Sequence, residues 1–267
     1  MTVAIIVVPS VTKLPPEADG AVIVGGSHAA LYAAHVVAKA GARAAIHHDA
    51  GIGFEEAGVA GLALAQELGM AMAAVDSASA RIGEAEDMMR RGIVSRANAL
   101  AAACGVAAGQ TCAEAAERLK AAPWPHHAPP ARAEGRSVFE AKAGRPKIIC
   151  IDSATLILPE DRDQVVATGS HGAERSGQVV APVQPALVLY NDAGFGADRA
   201  GAAGLSILNN AGIAGATVAA LSAKIGDGRS TLTKGVLSAV NEAAYRLGGR
   251  VGGSALALAR RVAEKAV

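Results

Sequence analysis

Three short polar stretches in the second half of the chain combine residue types that move protons or hold anions. Thr168-Gly169-Ser170-His171-Gly172 offers an imidazole and a hydroxyl, and Tyr190-Asn191-Asp192-Ala193-Gly194 a carboxylate. Ser222-Ala223-Lys224-Ile225-Gly226-Asp227 adds an ammonium and a second carboxylate. A carboxylate beside an imidazole fixes its tautomer, so His171 with Asp192 is a candidate proton-transfer pair. Lys224 and the main-chain amides from Gly169 to Gly172 are candidates to bind an anionic substrate group, and a desolvated Lys224 would itself be a base. Asp227 or Ser170 would assist, and Asn191, Gly194 and Ser222 are candidate substrate contacts. The first half carries His28, Asp49 and Arg81 at matching places, as contacts of an equivalent cleft.

Each of these residues also has a plainer reading. Ser27 and Ser170 precede helical stretches and read as N-caps. The Asp-Ala-Gly-x-Gly turns suit an aspartate bonding its own following amides, with glycines supplying positive φ. Glu84 and Asp227 fall where a helix dipole favours a carboxylate, and Arg81 and Lys224 are equally suited to surface ion pairs. A Ser170–His171 nucleophile pair is geometrically poor because adjacent residues point apart, and a satisfied structural histidine competes with the proton carrier. His47-His48-Asp49 with His28 suggests metal ligands, yet the second half has Tyr190-Asn191-Asp192 there and neighbouring strand residues face opposite ways, so no metal is expected. G-x-G-x-x-G ahead of the first crossover helix and G-x-x-x-x-G-K-S/T are both absent, and no cofactor is expected.

These stretches belong to a longer pattern. At an offset of 143 the chain matches itself without a gap, from about Val3–Lys120 onto Pro146–Ala263, with roughly one position in three identical. Gly26-Ser27-His28 meets Gly169-Ser170-His171, and Gly92-x-x-Ser95-x-x-Asn98 meets Gly235-x-x-Ser238-x-x-Asn241. The match predicts one unit written twice, over residues 1–120 and 146–267. Residues 121–145, with Pro123-Trp124-Pro125-His126-His127 and Pro129-Pro130, read as a connector.

Positioning the polar stretches requires a particular order of elements. Residues 3–9, 21–25, 43–48 and 70–76 read as strands. Residues 28–40 and 57–68 read as helices closed by Gly41 and Gly69, 84–104 as a long helix, and Thr111 as the cap of a last short one. The order β-β-α-β-α-β-α-α predicts an α/β fold in each half, with about four mainly parallel strands, helices on both faces and a pseudo-twofold relation between the halves. All three polar stretches then follow strand C-terminal ends and share one sheet edge, where helix N-termini present free N–H groups. Gly92, Ser95 and Asn98 would form one stripe on the long helix, with Asn98 and Asn241 structural. The second half keeps the fuller set of polar turns and is expected to be the active one.

Composition excludes several function classes. Twenty-five Lys and Arg against 24 Asp and Glu, with 3 Phe, 3 Tyr and 1 Trp, leave neither the charge nor the rings for nucleic acid. A hydrophobic fraction of 51% with 18% charged residues excludes disorder. Cys104, Cys112 and Cys150 show no paired spacing, which points to a reduced, cytoplasmic compartment. The apolar start, Val3-Ala4-Ile5-Ile6-Val7-Val8, lacks a basic leader and reads as a buried strand, and no stretch approaches the roughly 20 residues of a membrane helix. The expectation is a homo-oligomeric metabolic enzyme acting on a small carboxylate- or phosphate-bearing substrate by acid–base chemistry, of hydrolase, lyase or isomerase type. The alternatives are a non-catalytic protein that holds a metabolite or nucleotide phosphate, and an assembly subunit whose polar turns are purely structural.

Overall fold

The β-branched runs and the alanine-rich stretches between them alternate as strands and helices in a computed structural model, which describes residues 3–125 and 129–264. The chain divides into two units. The first comprises Met1–Ile52, Glu56–Ala133 and Gly196–Asp198; the second comprises Gly53–Glu55, Glu134–Phe195 and Arg199–Val267.

In the first unit the elements are β1 (Ile5–Val8), β2 (Val22–His28), α1 (Leu31–Lys39), β3 (Ala44–His48), α2 (Gly61–Glu67), β4 (Ala71–Val75), α3 (Ala85–Arg91), β5 (Val94–Ala97), α4 (Ala99–Ala103) and α5 (Cys112–Leu119). The sheet runs β1-β2-β3-β4-β5, parallel except for β5. Strand residues alternate between its faces. Val22, Val24, Ala44, Ile46, Ala73 and Val75 pack with α3 and α5 on one side, while Ile23, Ala45, Met72 and Ala74 pack with α1 and α2 on the other. The α1 and α2 helices approach closely because position 61 is glycine: a Cβ there would fall 2.6 Å from the Ala29 carbonyl oxygen. Thr111 caps α5 through a reciprocal box, its Oγ1 accepting from the Glu114 amide at 3.2 Å while Glu114 accepts from the Thr111 amide at 3.0 Å.

The second unit contains β6 (Arg136–Glu140), β7 (Ile148–Ile151), β8 (Val165–His171), α6 (Glu174–Val180), β9 (Leu187–Asn191), α7 (Gly204–Asn210), β10 (Ala214–Val218), α8 (Gly228–Lys234), β11 (Leu237–Val240), α9 (Glu242–Arg246) and α10 (Ala255–Ala263). Its sheet runs β11-β10-β9-β8-β7-β6, with β7 to β10 parallel and the two edge strands antiparallel. Val165, Ala167, Leu187, Leu189, Ala214, Ala216 and Val218 form a core with α8 and α10, and Val188 and Tyr190 pack on the opposite side with α6 and α7.

The structure departs from the sequence reading in three places. The long helix expected over 84–104 is broken at Gly92, where the backbone turns extended and a Cβ would sit 2.5 Å from the Met88 carbonyl oxygen; β5 follows. Gly92, Ser95 and Asn98 therefore occupy a helix end, a strand and a cap instead of one helical stripe. Strands β2 and β8 run on through His28 and His171, so Ser27 and Ser170 lie in strands and cap no helix. Residues 136–140, within the stretch read as a connector, form edge strand β6. Each sheet thus has more than four strands. Neighbouring strands follow chain order throughout β1–β5.

Residues 143 apart make matching contacts. Asn98 Oδ1 accepts from the Met72 and Ala101 amides at 3.1 and 2.9 Å, and its Nδ2 donates to Met70 O at 2.9 Å. Asn241 does the same with Gly215, Ala244 and Ile213 at 3.1, 2.9 and 2.8 Å. Both side chains tie the loop before a strand to the cap of the next helix. Among the described residues no helix is long and apolar enough to cross a membrane.

Candidate functional site

In the second unit, strand register aligns the ends that carry the polar stretches. His171 on β8 stands opposite Asn191 on β9, which stands opposite Val218 on β10, and the three following loops leave from one edge. The first unit aligns His28, His48 and Val75 in the same way. Residues far apart in sequence are gathered there because parallel strands end together.

Most of the sequence-selected residues on this edge hold the backbone in place. Gly169 sits where a Cβ would fall 2.4 Å from the Asp227 nitrogen and 2.5 Å from the Asp152 carbonyl oxygen, and its own carbonyl accepts from the Gly226 amide at 2.7 Å. The Gly172 amide donates to Asn191 O at 2.9 Å, which removes it from the expected anion-binding set. Ser170 Oγ accepts from the Ala154 amide at 2.9 Å and so ties the loop after β7 in place of capping a helix. Asp192 is 3% exposed, and its Oδ1 accepts from the Gly194 and Ala220 amides at 2.8 Å each, with Gly194 in the left-handed region. Ser222 donates to Ala219 O at 2.7 Å and accepts from the Val236 amide at 3.0 Å. Asp227 caps α8 by accepting from the Ser230 amide at 2.8 Å.

Asn191 and His48 occupy matching positions and make the same two bonds. Asn191 Nδ2 donates to Ala223 O at 3.0 Å and its Oδ1 accepts from the Ala193 amide at 2.8 Å. His48 Nδ1 accepts from the Ala50 amide at 3.0 Å, which places the proton of the neutral ring on Nε2, 3.0 Å from Ala80 O. Burial lowers the pKa of His48 in keeping with that neutral form. An amide and a neutral imidazole are interchangeable here, which accounts for His48 without a metal. Among the described residues no three His, Cys, Asp or Glu side chains are grouped to hold a metal ion.

The two cations are paired. Lys224 forms an ion pair with Glu55 of the same unit, which raises its pKa; the geometry is not that of a desolvated base. Arg81 donates from Nε to Asp198 at 2.8 Å within the first unit and has Glu84 at 3.6 Å. Asp49 matches Asp192, its Oδ1 accepting from the Gly51 and Ser77 amides at 2.9 and 3.0 Å. Burial, and then the charge of His48, push His28 down to about 4.

His171 lies at the end of β8. It is half-buried at the strand end, and its Nδ1 accepts from the Ala173 amide at 3.3 Å, so that the neutral ring carries its proton on Nε2.

Sequence reasoning missed a carboxylate pair. Asp152 directly follows β7; its Oδ2 accepts from the Gly135 amide at 2.6 Å and its Oδ1 from the Gly228 amide at 3.2 Å. Burial, reinforced by the charge of Asp152 and opposed by a hydrogen bond with Ser153, raises Glu134 to about 7. One signal for the pair was available: position 152 is Asp where the matching position 9 is Pro. Glu134 itself lies in a stretch without a motif and is set beside Asp152 only by the fold.

Comparison with known proteins adds no functional information. No protein family model, characterised protein or solved structure matches the chain.

Proposed function

We propose that the protein is an enzyme acting on a small carboxylate- or phosphate-bearing substrate by acid–base chemistry, of hydrolase, lyase or isomerase type, at the strand-end edge of the second unit. The observation that carries this reading is the acidic pair at the end of β7, where Asp152 is held by the Gly135 and Gly228 amides and its charge, together with burial, raises the neighbouring Glu134. A carboxyl group that titrates near pH 7 exchanges protons efficiently in either direction at that pH. His171 is the second proton carrier. Lys224 attracts the anionic group of the substrate, releasing Glu55, while Asp192 keeps the loop geometry through its two amide bonds. The first unit has Pro9 in place of Asp152, which supports the second unit as the active one.

The self-match at an offset of 143 and the matching bonds of Asn98 and Asn241 support an origin by internal duplication. We further propose a cytoplasmic homo-oligomer, to be checked by size-exclusion chromatography with light scattering.

A second reading, a non-catalytic metabolite-binding protein, is favoured by one observation: Asp192 and Asn191 are occupied by main-chain groups. A panel of small carboxylates and phosphate esters, followed by NMR for both binding and turnover, separates the two. The enzyme reading expects a turned-over compound, with a pH–rate inflection near 7 that Glu134→Gln removes and a turnover that His171→Ala abolishes while binding persists. Binding without turnover supports the second reading. A substrate whose turnover ignores both substitutions overturns the assignment of the site.

A further inference from the structure

We infer that the first unit carries a separate binding site, lined by α1 and by residues 124–125 and 129–132, for a small aromatic or heteroaromatic carboxylate. The pocket has a volume of about 750 Å3, within the range of roughly 300–1,000 Å3 typical of small-molecule sites. Its chemistry comes from His35, Lys39, Trp124 and Arg132, with Pro125 and Pro129 as apolar wall.

Two side chains there are held in place without being used up. Trp124 is 43% exposed, yet its indole Nε1 donates to Gly41 O at 3.0 Å and the Arg43 guanidinium lies 5.9 Å from the ring centroid. A large ring fixed in position and left facing solvent is a stacking surface in need of a partner. His35 is only 4% exposed and stacks on Tyr32 at a centroid distance of 6.0 Å. Among the described residues its imidazole makes no hydrogen bond, although it lines the pocket.

Electrostatics select the sign of the ligand. Burial, and then the charges of Lys39 and Arg132, lower the pKa of His35, so a neutral imidazole sits in a positive field. Asp19, the acidic residue of the lining, packs against Gly41, where a Cβ would fall 2.1 Å from its Oδ1. A carboxylate placed between Lys39 and Arg132 gains two charge-assisted bonds and the His35 donor, while its ring covers Trp124. These features do not belong to the repeated scaffold, because positions 35 and 39 correspond to Gln178 and Pro182 in the second unit.

Trp124 is the single tryptophan of the chain, so its emission reports on this pocket in the intact protein. Titration with benzoate and nicotinate is expected to change that emission saturably, with benzamide and inorganic phosphate each at least about tenfold weaker. Lys39→Gln and Arg132→Gln, both at exposed positions, are each expected to weaken benzoate about tenfold while circular dichroism stays unchanged. Saturation-transfer NMR of benzoate with the wild-type protein gives a second, fluorescence-independent reading. No saturable response by either method, an equal response to benzamide or phosphate, or an affinity that ignores both substitutions would each overturn the site.

Discussion

At the end of β3 the first unit carries His47 and His48; at the end of β9 the second carries Tyr190 and Asn191. The second position of each pair is equivalent, since His48 and Asn191 bond the same main-chain groups. At the first position the units differ. The Tyr190 hydroxyl donates to Ser176 O at 3.2 Å, whereas among the described residues neither nitrogen of the fully buried His47 has a hydrogen-bond partner. Burial, with the charge of His28, pushes His47 down to about 3. The same scaffold therefore tolerates a neutral imidazole as a hydrogen-bonded strut, and in the first unit alone it also buries one that nothing satisfies. A histidine pair that resembles metal ligands in sequence is, in the fold, one strut and one source of acid sensitivity.

The largest expected effect is on acid stability. The folded-state pKa values of His28 and His47, about 4 and about 3, lie below the ordinary histidine value of 6.5, so below pH 6.5 the unfolded chain binds protons that the folded unit does not. Stability is full above pH 6.5 and falls as the pH drops toward these folded values, by about 2 kcal/mol per ring at pH 5. Hydrogen exchange at pH 7 and pH 5 is expected to show protection lost selectively in the first unit, and His47→Leu to remove part of that loss. Equal loss in both units would break the comparison.

Asn98→Ala and Asn241→Ala come next, each expected to cost about 2–3 kcal/mol. Each strands a buried strand amide and a carbonyl and deletes a helix cap. Denaturant unfolding of the two variants checks whether the units depend on this strut equally. The smallest effect sharpens the comparison most: His48→Asn is expected to change stability by less than about 1 kcal/mol, because Asn191 already makes those bonds, whereas His48→Leu costs about 2 kcal/mol. A large loss for His48→Asn in thermal melts would show that the imidazole does something an amide cannot.

The α/β class was legible in the sequence, since strands rich in Val, Ile and Ala alternate with helices closed by Gly41 and Gly69. Strand β5 was hidden because Val94-Ser95-Arg96-Ala97 is short and its apolar residues coincide with a helical period; α3 ends at Gly92, where the backbone turns extended and a Cβ would collide with Met88 and Val75. In the candidate site, His171 was visible through its residue type and its place near a strand end. Glu134 was not, because its raised pKa comes from burial near Asp152, a residue 18 positions away.

The sequence by itself determined the alternation of strands and helices and which polar residues stand at strand ends, because hydrophobic period and turn chemistry act over a few residues. Whether those polar groups face a substrate or serve the backbone was decided only by the tertiary structure. The amides that occupy Asp192 and Asp49 come partly from Ala220 and Ser77, each 28 positions away, and the carboxylate that neutralises Lys224 comes from Glu55. A side chain's chemistry is set by its remaining unpaired atoms and the field around them, and both are assembled from segments that meet only on folding.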